Sequence, residues 1–247
     1  MRTIRVILNM FLYVIILIPY QIYIKWLKKT KPVEVSRAVA YKFARSWAKS
    51  LLRTGGTKLT VSGLENIPTH TPVLFVGNHQ SYFDIVTFVA AVENPTGFVA
   101  KTEIEKIPIF STFVALVGSV FIDRKDLRQS LKAIIESSEN LKQGHNMIIF
   151  PEGTRNTTKE LLPFKNGSLK PAQKSGSPIV PVAIYGTRQI FEGNKGFKIK
   201  ATDVHITFGN PIMLSELTKE EKATSGDYIK NIIEDILKEN IQIKNRR

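Results

Sequence analysis

Thr71-Pro-Val-Leu-Phe-Val-Gly-Asn-His-Gln-Ser-Tyr-Phe-Asp84 decides the reading of this chain. Val73 to Val76 is a short apolar run rich in β-branched residues, the pattern of a buried strand. Gly77 and Asn78 end it, and His79 follows at once. A strand that stops in such a turn sets the next side chain on a rigid rim. Histidine has an unperturbed pKa of about 6.5 and suits proton transfer near neutrality. A carboxylate on one ring nitrogen fixes the tautomer and leaves the other nitrogen as the base. His79 and Asp84 would stand about 500° apart on a regular helix, so one helix face cannot hold both. They meet only if His79 lies in the turn and Asp84 in the first turn of a helix over Ile85–Val92. A plain turn histidine beside a helix N-terminal acid is the alternative at this point.

Working outward, short apolar runs alternate with helical patterns from Thr57 onward. The strands expected are Lys58–Ser62, Val73–Val76, Gly97–Ala100, Ser119–Ile122, Met147–Phe150, Ile179–Ile184 and Val204–Phe208. The helices expected are Asp84–Ala91, Phe110–Leu116, Asp126–Lys142, Gly167–Lys174 and two near the C-terminus, the first opened by a capping box at Thr218–Glu221. The pattern predicts an α/β layered domain with a central, mostly parallel or mixed sheet flanked by helices. Polar groups follow three of the runs: Asn78 to Asp84, Asp123-Arg124, and Pro151-Glu152-Gly153-Thr154-Arg155. Sites in α/β sheets form at the carboxyl ends of strands. If these strands are neighbours, His79, Arg124, Glu152 and Arg155 converge. Two guanidinium groups there suit a phosphate. Gly153 would let backbone N–H groups approach an anion.

The chain has 247 residues and a formal charge of +14. Residues 1–60 carry twelve Lys/Arg and one acid, Glu34, so eleven of those fourteen charges are N-terminal. Val6 to Ile24 is apolar and, as a helix, about 28 Å long, close to a bilayer's hydrocarbon core. Basic residues flank it on both sides, and Pro19 and Gln21 interrupt it. The positive-inside rule would hold both ends on one side, so a helix entering one leaflet is expected, with a single crossing as the alternative. From Val33 to Arg53, Val35, Val39, Phe43, Trp47 and Leu51 form one face and basic residues the other. Such a helix suits an anionic membrane surface. The expected division is residues 1–56 as N-terminal membrane-anchoring helices and residues 57–247 as a catalytic domain. No stacking or base-reading element points to nucleic acid. With no cysteine there is no disulfide, thiolate nucleophile or thiolate metal site. No cluster has metal-ligand spacing.

Asn-His-x-Ser-x-x-Asp at 78–84, Gly-x-Val-Phe-Ile-Asp-Arg at 118–124, Phe-Pro-Glu-Gly-Thr-Arg at 150–155 and Ile-Val-Pro-Val at 179–182 resemble the four ordered motifs of glycerophospholipid acyltransferases. The nearest resemblance is to the bacterial 1-acylglycerol-3-phosphate acyltransferases, PlsC. It implies transfer of a fatty acyl group from acyl-ACP or acyl-CoA to the 2-hydroxyl of lysophosphatidic acid, giving phosphatidic acid in phospholipid biosynthesis. It implies His79 as general base oriented by Asp84, with direct transfer, no acyl-enzyme and no cofactor. Arg124, Glu152, Gly153, Thr154 and Arg155 match motifs used for acceptor and phosphate binding. Glu152 would position an arginine or hold the glycerol hydroxyl. Lys101, after Gly97–Ala100, is a further phosphate candidate. Pro181 would shape the core or acyl pocket.

Ser81 lies two residues from His79, but no Gly-x-Ser-x-Gly elbow surrounds it, so it is expected to hold the turn. His145 and His205 sit in a loop and a strand and are expected to be structural, and His70 lies in a Pro/Thr-rich loop where no chemistry is expected. The expected location is the cytoplasmic face of the cytoplasmic (inner) membrane. The rivals are an acyltransferase using glycerol-3-phosphate or another lysophospholipid, a lipid hydrolase, and a non-catalytic membrane-binding protein.

Overall fold

The central strands form where the chain is apolar on both faces. In the computed structural model, which describes residues 1–123, 126–158, 160–165 and 167–245, the strands are β1 Lys58–Ser62, β2 Leu74–Gly77, β3 Thr96–Lys101, β4 Val120–Ile122, β5 Asn146–Ile149, β6 Ile179–Tyr185 and β7 Asp203–Phe208. They make one seven-stranded sheet in the order β1-β7-β6-β2-β5-β3-β4. Every pair is parallel except β6 with β7. The sheet is therefore mixed, and its carboxyl edge is that of β2, β5, β3, β4 and β6.

Period-2 alternation splits the strands between two cores. Phe75, Ile148, Val180 and Val182 face one side, while Leu74, Val76, Met147 and Ile149 face the other. On the first side lie α1 Arg2–Thr30, α2 Val33–Gly55, α3 Phe83–Ala91 and α4 Pro108–Leu116. Phe75, Phe88 and Phe208 pack there edge-on or tilted, with centroids 5.0–6.2 Å apart. On the other side lie α5 Leu127–Lys142, α6 Lys170–Ser175 and α8 Ser225–Asn245. The short α7 Lys219–Ala223 precedes α8, and the capping box is present: the Thr218 hydroxyl accepts from the Glu221 N–H.

The N-terminal helices share the first core. Val6, Leu17, Ile24, Ala40 and Leu52 belong to the same apolar cluster as Phe75 and Ile184. α1 runs unbroken through Pro19, and its Gln21 is buried. Its 29 residues make it the one helix among the described residues long and apolar enough to cross a membrane. Only 17% of its most apolar window is buried. In α2 the side that meets the core carries Ser36, Ala40, Tyr41, Ala44, Ala48, Leu51 and Leu52. The Val39–Phe43–Trp47 face is only half-buried, and Phe43 stacks on Tyr20 of α1 at 4.6 Å. Of the expected four-residue face, Leu51 lies in the core, Val39, Phe43 and Trp47 pack half-buried against it, and Val35 is exposed.

Candidate active site

β2 ends at Gly77, and the turn that follows is pinned from both sides. The buried Asn78 side chain donates to the Ile184 carbonyl at 2.9 Å and accepts from the Ile184 N–H at 2.7 Å. This ties the turn to β6. His79 donates its N–H to Glu152 Oε1 at 2.7 Å, and its carbonyl accepts from the Asn156 N–H at 2.7 Å. These tie it to the loop after β5. The His79 ring lies on the Phe150 ring, with centroids 4.4 Å apart and planes 21° apart. Strand parity explains that contact, because Phe150 faces the same side as Phe75.

α3 begins at Phe83, so Asp84 sits in its first turn. The Asp84 side chain is fully buried, whereas that of His79 is 15% exposed. His79 Nδ1 stands 2.7 Å from Asp84 Oδ2. The same oxygen accepts from the Gln80 and Ser81 N–H groups at 2.6 and 2.8 Å. Asp84 Oδ1 accepts from the Thr187 hydroxyl at 2.5 Å. Surrounded by donors, this carboxylate acts as an acceptor throughout. His79 therefore carries its proton on Nδ1, and among the described residues nothing bonds its Nε2.

Ser81 is fully buried and its hydroxyl is engaged. It donates to Glu192 Oε2 at 2.6 Å and accepts from the Phe83 N–H at 3.0 Å. Glu192 Oε1 also accepts from the Tyr82 N–H and from Arg155 Nη1, at 2.8 and 3.2 Å. The Arg155 guanidinium lies 3.7 Å over the Tyr82 ring. Thr154 is exposed beside it. Arg188 reaches the Asn156 carbonyl at 3.4 Å and adds a second cation to this rim.

Glu152 is buried and holds two loops together. Its second oxygen accepts from the Leu162 N–H at 3.0 Å, so both oxygens serve backbone donors. Burial raises its carboxyl above the usual range, against the opposing pull of those N–H groups. The charged form is thus the disfavoured one in the fold. Its contribution to stability is full below the ordinary carboxylate range and declines as pH rises through the raised value. Glu152→Gln should abolish that decline, which chemical denaturation in detergent between about pH 4 and 8 will show. Gly153 follows directly. Its N–H donates to the Phe150 carbonyl at 3.1 Å and so closes a turn. Its φ of +73°, with Lys165 Cε only 2.7 Å from any added Cβ, accounts for the glycine.

Not every expected residue converges. β5 adjoins β2, which brings Glu152 and Arg155 to His79. β4 is separated from β2 by β5 and β3. At about 4.8 Å per strand, Asp123 emerges roughly 14 Å along the rim. Arg124 lies outside the described residues. Lys101 is exposed at the end of β3, two strand positions from β2.

Thr187 and Glu192 escaped the sequence reading because they stand more than 100 residues from the loop they hold, and Arg188 stands 32 from Asn156; none carries a local signal. Thr187→Val should lower kcat about tenfold with KM unchanged, the scale of one hydrogen bond to a charged group. Thr187→Ser should restore the rate.

Comparison with known proteins follows the same lines. The family profile described as Acyltransferase matches residues 58–185. The 1-acyl-sn-glycerol-3-phosphate acyltransferase of Borreliella burgdorferi is 32% identical over 189 residues, 76% of this chain and 75% of that protein. That of Saccharomyces cerevisiae is 30% identical over 187 residues, 74% of this chain and 61% of that protein. The crystal structure of the 1-acyl-sn-glycerophosphate acyltransferase PlsC from Thermotoga maritima superposes with a TM-score of 0.75 at 28% identity, covering 97% of this chain and 98% of that one. This chain therefore belongs to the acyltransferase family, alongside the 1-acyl-sn-glycerol-3-phosphate acyltransferases.

Proposed function

We propose that the protein acylates the 2-hydroxyl of 1-acyl-glycerol-3-phosphate, taking the acyl group from the thioester of acyl carrier protein or coenzyme A. The observation that carries this is the His79–Asp84 contact of 2.7 Å, on a carboxyl edge of the sheet, with nothing bonding His79 Nε2 among the described residues. Nε2 takes the hydroxyl proton as the oxygen attacks the thioester carbonyl. The tetrahedral intermediate then expels the thiolate, and the imidazolium returns the proton to sulfur. Buried Asp84 supplies the compensating charge while the ring is positive. Ser81 takes no covalent part, because its hydroxyl is bonded to Glu192 and out of the reaction. Arg155 and Thr154 on the rim are the proposed contacts for the acceptor phosphate, with Lys101 further along the same edge; Arg124, outside the described residues, is proposed from its motif alone.

The membrane seating belongs to the same reading. α1 exposes Ile4, Ile7, Leu8, Phe11, Leu12, Ile15, Ile18 and Ile22 while its narrow inner stripe packs on α2. α1 is tied to the domain at its N-terminal end as well, since Thr3 Oγ1 accepts from the Ile199 N–H at 3.0 Å. A helix held along its length against the domain enters one leaflet more readily than it crosses two. The acceptor would then reach His79 from the leaflet and the thioester from the water.

The test is detergent-solubilised full chain with lysophosphatidic acid and a palmitoyl thioester of each carrier, followed by mass. Phosphatidic acid with release of one thiol per product supports the proposal. Free fatty acid instead would make the protein a hydrolase, and no turnover with either donor would sink the reading.

A further inference from the structure

The segment that holds the catalytic loop also carries a feature the site does not use. Between β6 and β7 the chain runs from Thr187, bonded to Asp84, through Glu192, bonded to Ser81 and Arg155, to a tip at Lys195–Phe197. Phe197 at that tip is 80% exposed. Its φ is +53°, a left-handed conformation that aromatic residues rarely adopt. The tip is built, not loose. The Asn194 amide nitrogen faces the Gln189, Ile190 and Lys198 carbonyls at 2.8, 3.1 and 3.0 Å. The Lys200 N–H donates to the Ile190 carbonyl at 3.0 Å. Lys195, Lys198 and Lys200 flank Phe197 in sequence, the nearest ring to it is that of Phe191 with centroids 6.0 Å apart, and no acid occurs from Gly193 to Thr202.

The neighbours of this tip are apolar helix. Ile199 is buried in the core cluster that includes Val6 of α1, and its N–H bonds Thr3. The exposed residues Ile4, Ile7 and Leu8 of α1 follow directly. An exposed aromatic ring in a lysine-rich tip that is tied to an apolar helix has the chemistry of an interfacial contact. The ring enters the headgroup boundary and the ammonium groups meet anionic lipid. We infer that residues 195–200 form a second membrane contact, with Phe197 inserting into an anionic lipid surface beside the active site. This rests on the proposed membrane seating of α1. It sets the height of the catalytic rim, because the loop that touches lipid is the loop that holds Asp84 and Ser81.

The absence of cysteine makes the test direct. An environment-sensitive fluorophore goes singly on Phe197→Cys, Phe11→Cys or Gln143→Cys of the full chain. Gln143 is exposed at the opposite edge of the sheet. Each is added to phosphatidylcholine vesicles with or without phosphatidylglycerol. The expected result is a blue-shifted, iodide-protected label at positions 11 and 197 on anionic vesicles, with position 143 wet. Changing Lys195, Lys198 and Lys200 to Gln should weaken burial at position 197 about fivefold per lysine. A dry label at 11 with a wet one at 197 overturns this inference and leaves the seating of α1 intact. Wet labels at both overturn the seating itself, and the inference with it. Burial at 197 that ignores lipid charge and the lysine changes overturns the anionic contact.

Discussion

Replacing His79 with alanine is expected to lower kcat by about 10²-fold or more, the scale of a lost general base. KM for lysophosphatidic acid should change little, because the rim cations are untouched. The fold should survive. The His79 side chain makes one hydrogen bond, to Asp84, while the backbone bonds that set the turn belong to its N–H and carbonyl. Those persist in alanine. Phosphatidic acid formation by mass and a far-ultraviolet circular dichroism spectrum together separate loss of chemistry from loss of structure. A variant as active as wild type would keep the family and remove the proposed base.

Asp84→Asn should also cost about 10²-fold in kcat, for a different reason. The Gln80 and Ser81 N–H groups converge on Oδ2 and require an acceptor there. They hold the amide oxygen in place, so His79 Nδ1 still donates and the tautomer is kept. The amide nitrogen then faces Thr187, whose hydroxyl can accept as well as donate. What disappears is the negative charge behind a ring that becomes positive during turnover. Asp84→Ala should go further. It removes the buried acceptor of four donors, each costing about 1–3 kcal/mol when left unsatisfied, so stability falls along with rate. Thermal unfolding beside turnover distinguishes the two. An Asp84→Asn enzyme at wild-type rate would show that charge is not what Asp84 supplies.

These two residues were legible in the sequence because their partnership is local. An apolar run, a Gly-Asn break and an acid at the start of a helix place them within one turn, and the structure puts Asp84 there. The strands were legible for a similar reason. Fully buried runs such as Val180–Val182 and Met147–Ile149 stand out by hydrophobicity alone. Seven expected strands correspond to seven observed ones, with ends displaced by at most a residue or so. The α2 face was read less well. Alanines give a weak hydrophobic signal, so Ala40, Ala44 and Ala48 did not mark themselves as part of the core side.

Sequence by itself determined the alternation of strands and helices, the apolar basic N-terminus and the order of the four motifs. All are properties of neighbouring residues, written in periodicity and in turn chemistry. Tertiary structure decided the strand order, and with it which motifs share a rim. It put β5 beside β2 and kept β4 away, so Glu152 and Arg155 join His79 while Asp123 does not. It also turned Glu152 inward to the backbone and brought Thr187 and Glu192 across more than 100 residues of chain. Those contacts are hydrogen bonds between single polar atoms. They leave no periodic trace, because their geometry exists only once the sheet has set the spacing of its loops.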